Sequence, residues 1–393
     1  MTKIFKVYVV LLILTTTTLF AQEKTILLVE TDVQPAKFDN KYRKIFNDSI
    51  IVETTAVREL VYILMALTDF AKNDYGIVNK RSPYYKYAMA HFEPYKNDRL
   101  VQQMNNLVSN NMDDRMLPEI NATAFYFTKK GKIKRHKYYT NIRGNKDVIS
   151  PLIKELEQFA EETEFLKFFN SDVTQVYYKE IQNFYRNEAN IKRMVNWLRT
   201  QFPSVSPYNS IKVVATPLVR GWEHEDVVAD KGFLQIIVHP SYLPASEKAS
   251  MYSRETQLLL RTDMLFTELN HGSINPVSDN YSNDINKAFE GKLTLFIKND
   301  GGHSEYLNPV LAFKEYMNWG LVALYANDVL PLNEKYLLEN STLEMMEMRS
   351  EFPAFKDFLP FLLQVYRTKG VNETVESQFP KLINWFKEYK EQK

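Results

Sequence analysis

The chain of 393 residues contains no cysteine. That excludes a disulfide framework, a thiol nucleophile, a cysteine-ligated zinc site and an acylated cysteine that would tether the protein to a membrane. Glycine is scarce, at 11 residues. The sequence offers neither a phosphate-cradling glycine loop nor a G-x-S-x-G nucleophile elbow. Net charge is also missing: 49 Lys and Arg oppose 48 Asp and Glu, which gives no global attraction to nucleic acid or to an anionic membrane. No apolar run reaches the ~20 residues of a spanning helix. Internal repeats and low-complexity tracts are absent.

What is present begins at the N-terminus, where Lys3 and Lys6 precede an apolar run from Val7 to Leu14 and the small Ala21 follows Leu19-Phe20. A basic segment, an apolar segment and a small residue at the cleavage point describe a secretory signal peptide over residues 1–21. Its removal leaves 47 basic residues (49 less Lys3 and Lys6) against 48 acidic ones and no membrane span. The expected location is periplasmic or secreted. Aromatic residues make up 13% of the chain, with 24 Tyr and 25 Phe. That supply suits a large aromatic core, or alternatively a peptide or carbohydrate groove.

Periodicity divides the rest. Apolar, β-branched segments predict strands at Thr25–Val33, Ser49–Val52, Thr123–Phe127, Lys212–Val219, Gly232–Val238 and Lys292–Ile297. Helical spacing marks Val57–Ala71, Tyr84–Phe92, Arg99–Ser109, Leu152–Phe169, Val173–Phe202, Arg254–Gly272 and Pro309–Tyr325. The Lys129–Tyr139 run is basic and reads as a solvated hairpin tip. Pro and Ser between Pro203 and Ser210 mark a boundary. Three regions follow the signal: a mostly helical one with a few strands over 22–205, a core over 206–330, and a helical C-terminal one over 331–393.

The segment Thr267-Glu268-Leu269-Asn270-His271 carries the most specific chemistry. In the H-E-x-x-H motif two histidines at i and i+4 hold zinc from one helix face, and the intervening glutamate is the general base. Here Glu268 and His271 stand in their places and Thr267 replaces the first histidine. Strands, a motif-bearing helix and a later acidic helix form the layout of zincin metallopeptidases. Glu268 is thus the candidate catalytic base, with His271 and Glu315 as candidate metal ligands. Tyr281 and His303 are candidate oxyanion donors. His224 and His303 are the first replacements to consider for the missing ligand. The Trp222–Asp226 cluster, between two strands, is chemically capable of binding a cation and otherwise reads as an exposed acidic hairpin tip, and His239 and His91 read as packing residues.

With Thr267–Pro276, Arg58-Glu59-Leu60, Tyr84–Tyr87 and His91–Tyr95, the chain resembles an exported bacterial family, domain of unknown function 4932. The resemblance implies a zincin-like, metallopeptidase-type domain over most of the mature chain, with no known substrate. The expected fold is α+β and helix-rich, with a zincin-like core, a small mixed sheet packed on the motif-bearing helix, and additional helical regions. Losing a histidine ligand weakens zinc binding greatly. The leading expectation is therefore a catalytically degenerate zincin-like protein that keeps a cleft for a peptide or protein ligand. The alternatives are an active zinc metallohydrolase using a substitute ligand, and a cell-envelope peptide- or glycan-binding protein.

Overall fold

Buried β-branched segments assemble into a sheet that divides two helical layers. The computed structural model describes residues 33–73, 76–109, 115–139, 146–205, 208–220, 223–298, 307–348 and 352–390. The signal segment 1–21, most of the expected strand at Thr25–Val33, Trp222 and His303 lie outside the described residues. Among the described residues no helix is long and apolar enough to cross a membrane.

The strands are β1 (Val33–Pro35), β2 (Ser49–Glu53), β3 (Phe125–Phe127), β4 (Ile133–Arg135), β5 (Ser210–Val214), β6 (Glu225–Asp230) and β7 (Phe233–Val238). Five of them form one sheet in the order β1-β6-β7-β5-β2, and β3 pairs with β4 in a separate hairpin. β2, β5 and β7 are mutually parallel, β6 is antiparallel to β7, and β1 is parallel to β6, so the sheet is mixed. β6 and β7 meet at Lys231 and Gly232, whose φ values of 49° and 78° are the left-handed pair that a two-residue hairpin turn needs to match strand twist.

Side chains alternate along each strand. Val213, Ile236 and Val238 enter one apolar core, while Val214, Val228 and Ile237 enter a second on the opposite face. The second core is covered by α1 (Ala56–Leu67) and α2 (Leu117–Ala122), with other helices of the N-terminal half. The first is covered by α3 (Asp263–Asn280), α4 (Pro309–Val329), α5 (Phe355–Thr368) and α6 (Phe379–Glu388). The fold is α+β and helix-rich with a small mixed sheet. β1 and β2, from the region 22–205, pair with β6 and β5 of 206–330, so the sheet joins those two regions.

Three local expectations are corrected. Lys292–Ile297 is not a strand: Leu293–Phe296 is a short helix. The consecutive residues Phe296 and Ile297 are both buried in the same core, which a strand with one covered face cannot arrange. The helix expected over Arg254–Gly272 is two, Arg254–Leu259 and α3, and α3 continues through Pro276 to Asn280. Of the expected acidic tip, Glu225 and Asp226 instead begin β6.

Candidate functional site

α3 lies on the sheet face that Val238 occupies, anchored by Leu265, Phe266, Leu269, Ile274 and Val277 in the first core. Polar contacts clamp it to α4. Asn270 Nδ2 donates to the Asn318 carbonyl at 3.1 Å, and Lys314 pairs with Asp279 at 2.7 Å. Glu225 stands opposite Val238 in the β6–β7 ladder, so alternation sends its side chain to the same face. The result is a group in which the ligand atoms of Glu225, Glu268 and His271 all lie within 4.8 Å of one another. Glu268 is buried, while Glu225 and His271 are half-buried. Burial first, and then the Glu225 and Glu223 carboxylates, push the Glu268 pKa well above the ordinary carboxylate range, against the opposing bond from Thr267.

Each position expected to hold zinc is otherwise engaged. Thr267 donates its hydroxyl to the Met264 carbonyl at 2.7 Å, within its own helix, and lies 3.2 Å from Glu268 Oε1. Asn318 Nδ2 donates to His271 Nε2 at 2.9 Å. Glu315 is buried, and its Oε1 accepts the Trp319 indole N–H at 3.0 Å. Among the described residues, Glu315 belongs to neither of the two groups of metal-capable side chains. The side chain that α4 presents to His271 is Asn318, one turn further on. A motif zinc site needs two imidazoles and leaves the glutamate free as base. The group here supplies one imidazole, and enlisting Glu268 as a ligand would remove the base. The residues present do not fit that site.

The expected oxyanion donor Tyr281 packs on Phe379, with ring centroids 5.7 Å apart. The Tyr208 hydroxyl lies against Gly272, the residue after His271: an added Cβ there would lie 1.6 Å from its oxygen. Among the described residues that buried hydroxyl has no hydrogen-bond partner. Burial, and secondarily Glu225, hold its pKa well above the usual phenol value. His91 behaves as a packing residue, against Phe92 and Phe168, with a 2.8 Å contact to the Thr163 carbonyl.

His224 does not supply the missing ligand. It points to the opposite sheet face, where His224, Asp226 and His239 are buried and form the second group. The exposed-tip reading of this segment is corrected by the burial of His224 and Asp226 and by the pairing of the two strands, while His239 is fully buried and stacked on His224, as a packing residue would be. Sequence reasoning missed Glu225, Asn318 and Tyr208. Glu225 was hidden in a segment read as a turn, and Asn318 was signalled only by its i+3 spacing from Glu315. Comparison with protein-family models, curated proteins and solved structures finds no match.

Proposed function

We propose that this is an exported, zincin-like protein of metallopeptidase descent in which peptide hydrolysis has been lost and the surface around Glu225, Glu268, His271 and Tyr208 serves as a binding site for a peptide or protein segment. The observation that carries this reading is the Thr267 hydroxyl, satisfied by the Met264 carbonyl of its own helix. With the first ligand position closed and Asn318 on His271 Nε2, the helix keeps the motif's frame without its zinc-binding pair. One observation favours a second reading, an active metallohydrolase: Glu225 approaches Glu268 and His271 closely enough to act as a substitute ligand.

The test is cleavage of an unstructured protein substrate by the full chain with zinc present, beside the Glu268→Gln variant. The expected outcome is no cleavage by either. Cleavage by the wild type that Glu268→Gln abolishes would establish the second reading instead. Thr267→His should raise zinc affinity markedly, because it restores the i, i+4 imidazole pair. An unchanged affinity would mean that α3 is not a relic zinc helix.

A further inference from the structure

On the sheet face away from α3, the end of β7 and the start of β6 bring two imidazoles and a carboxylate together. The Glu225↔Val238 register places His224 directly across from His239, and the His239 amide donates to the His224 carbonyl at 2.9 Å. The backbone ladder therefore sets the two side chains next to each other, and their rings lie 4.2 Å apart with an interplanar angle of 16°. Both present Nε2 to the same carboxylate oxygen: Asp226 Oδ2 lies 3.6 Å from His239 Nε2 and 4.0 Å from His224 Nε2. All three residues are buried, at 4%, 4% and 0% exposure for His224, Asp226 and His239.

Those separations are too long for hydrogen bonds, which close at about 2.7–3.2 Å. They approach the ~3.4 Å spacing expected between ligand atoms that each lie about 2.0–2.2 Å from one tetrahedral ion. Behind the group, Glu119 Oε1 stands 3.7 Å from His224 Nδ1. Glu119 is itself held by Arg58 at 2.7 Å and by the Tyr62 hydroxyl. The Glu119–His224 separation, like the other two, is longer than a hydrogen bond; shortened by about 0.5 Å it becomes the carboxylate contact on the far ring nitrogen by which proteins orient a ligating imidazole.

We propose that His224, Asp226 and His239 bind a divalent transition-metal ion of the zinc class, with Glu119 as the outer partner that positions His224. Two imidazoles among three donors select that class over calcium or magnesium, which take oxygen ligands. The site is separated by the sheet from the Glu225–Glu268–His271 group, so it stands whether or not the proposed function does.

The test is metal analysis of the full chain after incubation with zinc chloride and desalting, comparing wild type with His271→Ala and His239→Gln. Wild type and His271→Ala should each retain about one zinc per chain, and His239→Gln almost none. Because His239→Gln alters a fully buried position, cobalt(II) titrations of wild type and His271→Ala provide a readout that needs no change at the site. Both should bind one ion and develop the same intense visible absorption of a four-coordinate nitrogen- and oxygen-ligated site. Zinc lost with His271→Ala but kept by His239→Gln would overturn the proposal, as would a wild type that retains neither ion.

Discussion

Thr267 and Glu268 sit side by side, yet they differ in what their surroundings ask of them. The threonine hydroxyl is satisfied locally by the Met264 carbonyl. The carboxylic acid is buried beside Glu225 and Glu223, which favours its neutral form. A related balance governs Asp263, the first residue of α3. Burial, reinforced by Glu223, raises its pKa from the ordinary 3.8 to about 7, although its carboxylate accepts the Met264 amide at 2.8 Å. The folded protein therefore holds a proton there that the unfolded chain releases. Asp263's contribution to stability should fall as pH rises from about 4 to about 7 and then level off. Asp263→Asn, neutral throughout, should remove this part of the slope and be more stable than wild type above neutrality. Urea unfolding midpoints at pH 5 and pH 8 measure it. If the two proteins change equally between those pH values, Asp263 is already ionised in the folded state.

At the scale of the element, α3 carries a glycine that helix propensity alone would replace. Alanine at an exposed helix position is worth about 1 kcal/mol over glycine, but at Gly272 an added Cβ meets the Tyr208 hydroxyl at 1.6 Å and its ring carbon at 2.2 Å. The clash should win: Gly272→Ala is expected to destabilise by about 1–3 kcal/mol, the usual range for overpacking. In a Tyr208→Ala background the sign should reverse, with Gly272→Ala stabilising. A double-mutant cycle by chemical denaturation reads the coupling, and a sum without coupling would show that Tyr208 does not set this close approach. Some of this element was legible in the sequence. The apolar spacing Leu265, Phe266, Leu269 located the helix, and Glu268 and His271 were recognisable from the motif. Its continuation through Pro276 was not, because packing against α4 overrides the local cost of an interior proline. Nor was β6 legible, since Glu225-Asp226-Val227-Val228-Ala229-Asp230 sets like residues side by side instead of alternating charged with apolar ones. Glu225 and the His224–His239 pair become visible only through strand register, a long-range property that local spacing does not encode.

At the scale of the whole molecule, the alternation in the central strands binds the two halves together. β5 gives Val213 to the core shared with α3 and α4, and Val214 to the core shared with α1. β7 divides Ile236 and Ile237 in the same way. β5 also draws β2 from the N-terminal half as its parallel neighbour. A piece cut at the Pro203–Ser210 boundary would keep β5, β6 and β7 but leave one face of each without its helices. It would also leave β5 without its outer partner. Exposed apolar faces of that size favour association over folding, so the fragment 206–393 is expected to lack a cooperative unfolding transition by far-UV circular dichroism. The full chain, by the same reasoning, should unfold as one unit. Trp197, Trp319 and Trp385 all report on the first core, so in a Trp222→Phe background tryptophan fluorescence follows one layer while circular dichroism follows both. Coincident midpoints from the two probes are the expected result. A fluorescence transition clearly separated from the loss of helical signal, or a 206–393 fragment that melts sharply, would show that the sheet joins two layers that fold independently.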